Sequence, residues 1–139
     1  DAFVTKINPN GGVIYSTYLG GGKDENEPTF GFSFVDSLGQ VHLVGTTASS
    51  DLPTKNALQT SLSGSSDVYL ASFDPQGRAI TSTYLGGNGM ERETSFFIAN
   101  NGTIYLTGIT GSTNFPTLNG PQRSFGGGNQ DGFFLAIKP

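Results

Sequence analysis

The stretch Ser16-Thr17-Tyr18-Leu19-Gly20-Gly21 recurs unchanged as Ser82-Thr83-Tyr84-Leu85-Gly86-Gly87. Upstream of it, Asp1, Pro9, Gly11 and Ile14 match Asp67, Pro75, Gly77 and Ile80. Downstream, Gly39, Leu43, Gly45, Thr47, Ser49, Pro53 and Thr54 match Gly102, Leu106, Gly108, Thr110, Ser112, Pro116 and Thr117 at a spacing three residues shorter. The change of spacing puts a deletion in the loop after the second double glycine, where a surface loop absorbs it. The pattern starts a third time at Asp131, whose run to Pro139 echoes Asp1–Pro9 and Asp67–Pro75. One repeat domain, 1–139, thus divides into units 1–66 and 67–130 and the start of a third unit, 131–139. A repeat of this kind is one supersecondary unit used again, and it buries its apolar faces against neighbouring copies.

Each unit reads as strands. Phe3, Thr5 and Ile7 alternate with Ala2, Val4 and Lys6, and the copies place Tyr69, Ala71 and Phe73, then Phe133, Leu135 and Ile137, on the matching face. A period of two with one apolar face is a β signal. Asn8-Pro9-Asn10-Gly11 and Asp74-Pro75-Gln76-Gly77 follow as turns, with proline setting φ and glycine closing. Further strands are predicted at Val13–Leu19, Phe30–Val35 and Val41–Thr46, with copies at Ala79–Leu85, Ser95–Ala99 and Thr103–Ile109. Asn101-Gly102 is a tight-hairpin signal, and Leu38-Gly39 fills the same place. Residues 55–66 and 118–130 read as connections, with one short helical turn expected at Asn56–Leu62. Val41, Leu43 and Val44 make a strand apolar on both faces. A lone four-stranded sheet cannot hide both, whereas sheets stacked on sheets can.

The segments Asp1–Pro9, Tyr15–Gly21 and Val44-Gly45-Thr46-Thr47 with Leu52-Pro53-Thr54, and their second copies, resemble the SBBP repeats, a family named for seven-bladed β-propellers. The resemblance covers nearly the whole chain. It implies a blade-forming repeat of large bacterial secreted or surface proteins and brings no catalytic residues. The family often places Gly-Asp-Asp after the double glycine; Gly22-Lys23-Asp24-Glu25 approximates this and Asn88-Gly89-Met90-Glu91 departs from it. The expected fold is all-β, with propeller-blade-like four-stranded antiparallel sheets packed face to face and left incomplete within one chain. In blade register the chain starts with two outer strands, makes one whole blade over about residues 29–86, and ends with three strands lacking a fourth.

Charged residues are 13% of the chain, against about 25% in ordinary domains. The net charge of −4 gives no source for counterion-release binding, so nucleic acid is not an expected partner. No apolar run is long enough for a transmembrane helix. The absence of cysteine removes disulfides, zinc-thiolate sites and a cysteine nucleophile. No signal peptide is visible and position 1 is Asp, which predicts a processed product or a piece of something longer.

Few residues carry chemistry. Gly20-Gly21-Gly22-Lys23 is followed by Asp24 rather than Ser or Thr, and Thr17 stands where a phosphate loop needs its first glycine, so it reads as a turn. Asp24, Glu25 and Glu27 form an acidic loop whose oxygens could meet calcium, but without the alternating spacing of a calcium loop; the second copy carries Glu91, Arg92 and Glu93, and a solvated loop is expected. No cofactor is otherwise implied. His42, the one histidine, has Tyr105 as its repeat partner and reads as a packing residue, with no support for a Ser–His–Asp arrangement beyond the residue types. Tyr15, Tyr18, Tyr84 and Tyr105 could stack on sugars, yet the recurrence of Tyr18 at Tyr84 suits a core position. Asn101-Gly102-Thr103 is a glycosylation sequon that also serves its turn.

The expected function is therefore a non-catalytic, extracellular or cell-surface structural or adhesive repeat module that builds a larger surface or filamentous assembly. Its partners would be copies of itself or flanking repeats of a longer chain. Asp131, Phe133, Leu135 and Ile137 are the expected assembly strand, lent to a neighbour, so that truncating Asp131–Pro139 would abolish assembly. The alternative is a propeller binding module whose loops engage a glycan or a protein. An enzyme would need catalytic residues outside this segment.

Overall fold

A computed structural model describes residues 1–25 and 31–138. Among them are nine strands and no helix: β1 (Ala2–Ile7), β2 (Val13–Leu19), β3 (Phe32–Val35), β4 (Val41–Thr47), β5 (Asp67–Phe73), β6 (Ala79–Leu85), β7 (Glu91–Ile98), β8 (Ile104–Thr110) and β9 (Asp131–Ile137). They form three antiparallel sheets, β1–β2, β3–β4–β5–β6 and β7–β8–β9, none closed into a barrel. The fold is thus all-β and open, and its strands divide two, four and three, as the repeat register predicts. No helix among the described residues is long and apolar enough to cross a membrane.

Tight turns set the register. In three of the hairpins an Asn or Asp at the first turn position accepts backbone N–H bonds through Oδ1: Asn8 from Asn10 and Gly12, Asp36 from Leu38 and Gln40, Asp74 from Gln76 and Arg78; the β7–β8 turn has Ala99 there. Such Asx turns stabilise the reversal locally. Gly39 and Gly102 sit at φ of 74° and 80°, a left-handed conformation that glycine adopts without steric cost.

The central sheet is covered on both faces along β4–β5–β6, whereas all four residues of β3 are exposed. Tyr69, Ala71, Phe73 and Tyr84 point forward onto Val4, Leu19 and Leu52, with Ala2 and Tyr15 at the margin. Val44, Val68 and Leu70 point backward onto Ile98, Ile104, Leu106 and Phe133. All seven residues of β5 are buried, although its sequence reads as a strand with one apolar face, because neighbouring sheets cover it on both sides.

Two expectations are corrected. The helical turn at Asn56–Leu62 is absent, because this segment runs extended beside β6: Lys55 exchanges backbone hydrogen bonds with Ser82, and the Tyr84 N–H donates to the Gln59 carbonyl. The second, β7, begins at Glu91 rather than Ser95, because Glu91 and Glu93 are buried strand residues and not part of a solvated loop. Phe30, the expected first residue of β3, lies outside the described residues.

Candidate functional site

The most elaborate polar site is a carboxylate node built twice. Glu91 is fully buried. Its Oε1 accepts hydrogen bonds from Thr110 Oγ1, at 2.5 Å, and from Ser112 Oγ, and its Oε2 accepts the Gly87 N–H at 2.8 Å. Glu25 repeats the arrangement: Oε1 accepts from Gly21 N–H, Thr47 Oγ1 and Ser49 Oγ. The second glutamate oxygen, Oε2, makes no hydrogen bond and lies 3.5 Å from the Asp1 amino group. Around each node the loop after the double glycine is tied down. Gly22 and Lys23 donate to Asp51 Oδ1 and Ser49 Oγ, and Asn88 and Gly89 donate to Asn114 Oδ1 and Ser112 Oγ.

A second carboxylate faces each node. At Gly86 a Cβ would stand 2.5 Å from both Asp67 Oδ1 and Glu91 Oε2, so glycine is required for the two acids to meet there. Asp67 Oδ2 accepts from Gln59 Nε2 at 2.7 Å and from Ser63 N–H at 3.0 Å, which clamps the connection before β5. Burial raises the Asp67 pKa; these hydrogen bonds work against it, and the Glu91 carboxylate adds to the rise. Asp131 holds its own connection in the same way, through Gln122 Nε2 and Gly126 N–H. Chemically, the nodes fasten loops and connections to strand ends, with every contact internal to the chain.

The acidic-loop candidates separate. Asp24 is exposed, Glu25 is buried in its node, and Glu27 lies outside the described residues. Among the described residues no group of three or more His, Asp or Glu side chains is placed to hold a metal ion.

His42 is placed more specifically than its sequence suggests. Its Nδ1 lies 2.8 Å from Ser72 Oγ and its Nε2 3.1 Å from Asp36 Oδ2, so Asp, His and Ser stand in a chain. Burial pushes the Asp36 carboxyl up, but hydrogen bonds from His42 and from the Gln40 and Leu38 N–H groups outweigh it, and the pKa is lowered. This is not the geometry of an active serine. Ser72 and His42 are buried, Ser72 is the penultimate residue of β5 and stands opposite His42 and Thr81, and neither lines the two clefts beside β1. A nucleophilic serine needs an exposed Oγ beside oxyanion donors. The second unit has Tyr105 and Ala136 in the same places, with Tyr105 stacked on Phe134 at 5.8 Å.

The remaining feature is surface. Tyr84 is 1% exposed, and its hydroxyl accepts the Leu52 N–H and donates to the Ser49 carbonyl, each at 2.8 Å. Its copy Tyr18 is 80% exposed. Tyr69 is buried and its copy Phe3 is 71% exposed; Leu70 is buried and its copy Phe134 is 64% exposed. Each pair shares a repeat position and differs in what stands opposite. Among the described residues no sheet lies against the front of β1–β2 or the back of β7–β8–β9. Sequence reasoning placed Tyr18 and Phe3 on a core face, which they share with Tyr84 and Tyr69, but no sheet among the described residues covers them. The expected assembly strand forms β9, paired with β8 along its whole length, and its Phe133, Leu135 and Ile137 pack into the second core. Phe133 stacks on Phe115 at 4.7 Å.

Compared with known proteins, the chain matches no family model and no curated relative.

Proposed function

We propose that the chain is a non-catalytic structural repeat module, of the propeller-blade kind that the SBBP resemblance suggests, which works by joining copies of itself into a larger extracellular assembly. One observation carries this reading: β5 and its neighbours β4 and β6 are covered on both faces, while each outer sheet leaves open a face that is a copy of a buried one. Phe3, Ile7, Tyr18, Phe97 and Phe134 are among the large side chains left exposed. Burying each is worth about 1.5–3 kcal/mol, so a second sheet on either face gains more than one exposed residue would suggest. Contiguous apolar surface of this kind marks an interaction site. The weakly charged composition favours close approach of copies, because little like charge opposes it.

The buried Asp36–His42–Ser72 chain and the carboxylate nodes, whose observed contacts fasten the chain to itself, support a scaffold rather than a catalyst. A binding module for glycans or proteins remains the second reading, since Tyr18 and Phe3 are exposed aromatics; their equivalence to buried Tyr84 and Tyr69 favours stacking on another sheet instead. Sedimentation velocity from micromolar to millimolar protein, with electron microscopy of the concentrated sample, tests the proposal. Association into rings or fibres is expected. A monomer at every concentration, melting in one cooperative step, would overturn it.

A further inference from the structure

Four asparagines in the chain are followed by glycine: Asn10, Asn88, Asn101 and Asn119. Such a pair is open to an internal reaction, because the glycine nitrogen can reach the asparagine side-chain carbon and no Cβ on the glycine stands in the way. All four asparagines are exposed, so access to water does not separate them. What separates them is the nucleophile.

At three of the sites the glycine N–H is already held. Gly11 donates to the Asn8 carbonyl at 3.0 Å and Gly102 to the Ala99 carbonyl at 2.9 Å, the bonds that close their turns. Gly89 donates to Ser112 Oγ at 2.7 Å, beside the Glu91 node. Two of these asparagines are tied as well: Asn88 Oδ1 accepts the Thr113 N–H and Asn101 Oδ1 accepts the Thr103 N–H, each at 3.1 Å. At the fourth site both groups are free: among the described residues nothing bonds to the Asn119 side chain or to the Gly120 N–H. Asn119 also stands at a φ of 55°, in the left-handed region that side-chain-bearing residues rarely occupy. It lies in the connection before β9, upstream of the Gln122 and Gly126 contacts that fasten that connection to Asp131.

We propose that Asn119 is a self-modification site, where the Gly120 nitrogen cyclises onto the side chain and converts it to isoaspartate and aspartate. The Gly120 nitrogen gives its proton to solvent and bonds to Asn119 Cγ; the Cγ–Nδ2 bond breaks and ammonia leaves, closing a five-membered succinimide. Water then opens the ring. Attack at the side-chain carbonyl yields aspartate, and attack at the backbone carbonyl leaves the chain running through the side chain as isoaspartate. No oxidant or reductant takes part. Each conversion adds one negative charge to a chain of net charge −4, and the isoaspartate form lengthens the connection by one backbone atom. The Asp131 anchor and the β8–β9 ladder stay in place, since neither uses Asn119 or the Gly120 N–H. At the other three sites the glycine bond has to open first, and losing one net hydrogen bond corresponds to about a tenfold smaller reactive population.

The test incubates the full chain in mildly alkaline buffer, native and guanidinium-unfolded, and maps the products by peptide mass spectrometry with isoaspartate resolved from aspartate. In the unfolded chain the four sites should convert at similar rates. In the native protein Asn119 should lead Asn10 about tenfold, and Asn88 and Asn101 by more. In Gly120→Ala the added Cβ meets nothing closer than the Gln122 carbonyl at 3.4 Å, so the variant should melt with the parent while its conversion at Asn119 stops over the same period. Native Asn119 converting no faster than Asn10, or yielding aspartate without isoaspartate, overturns the proposal, as does undiminished conversion in Gly120→Ala. A lead for Asn119 that is equally large in the unfolded chain assigns it to local sequence and overturns the role of the fold.

Discussion

Tyr84 and Tyr18 are the same residue at the same repeat position in opposite surroundings, and removing one oxygen from each separates fold from neighbourhood. In Tyr84→Phe the ring stays buried, but the Leu52 N–H and the Ser49 carbonyl lose a partner 2.8 Å away in a site closed to water. A buried group left unsatisfied costs about 1–3 kcal/mol. With two groups affected and some local relaxation, the loss should be roughly 2–3 kcal/mol. For a chain of this length that corresponds to a fall in Tm of roughly 8–12 °C. Tyr18→Phe, on an open face, should change stability by less than about 0.5 kcal/mol in dilute protein. Urea and thermal denaturation at low micromolar protein measure both. Equal losses at the two positions, or none at Tyr84, would refute the claim that the Tyr84 face is covered and the Tyr18 face open.

Further outcomes follow from the nodes and close contacts. A raised carboxyl pKa in the folded state gives stability that is full below the unfolded-state value of about 3.9 and is lost as pH rises through the folded value. Asp67→Asn removes that loss, so in pH-dependent denaturation it should gain on the parent from about pH 4 toward neutrality; a gain toward acid instead would contradict the assigned direction. Gly108→Ala forces a Cβ to 2.3 Å from the Arg92 carbonyl and 2.4 Å from the Phe133 ring and should cost at least about 2 kcal/mol, whereas Gly111→Ala, with nothing closer than 3.5 Å, should be tolerated in the same melt. A fluorophosphonate serine probe should leave Ser72 unlabelled by mass spectrometry; stoichiometric labelling would show a reachable, activated nucleophile.

The partition into sheets was legible in the repeat, because a recurring Asp-x-aromatic strand and double glycine fix where each unit begins. Facing was legible only in part. Phe3 lies on the same side as Tyr69 and Phe133, but its burial depends on a sheet that the alternation of apolar residues cannot supply, so Val4 and Ala2 make the core contacts of β1. The carboxylate nodes were misread as solvated because acids in loops usually are. The missed signal was local: Gly21 and Glu25 are spaced as Gly87 and Glu91 are, and Thr47-x-Ser49 returns as Thr110-x-Ser112. An acid repeated with its own hydroxyl donors is a buried acid. The His42 contacts were not legible, because Ser72 reaches the ring through strand pairing and Asp36 through a turn. Nor was the extended path of 55–62, which follows from backbone bonds to β6 rather than from propensity.

Amide hydrogen exchange, measured in dilute and in concentrated protein, tests the central claim most directly, since protection reports local stability strand by strand. The account predicts that β5, covered on both faces, exchanges slowest in dilute solution, that β1–β2 and β7–β8 exchange much faster, and that concentration slows those outer strands selectively. Uniform protection across the three sheets at every concentration would contradict it.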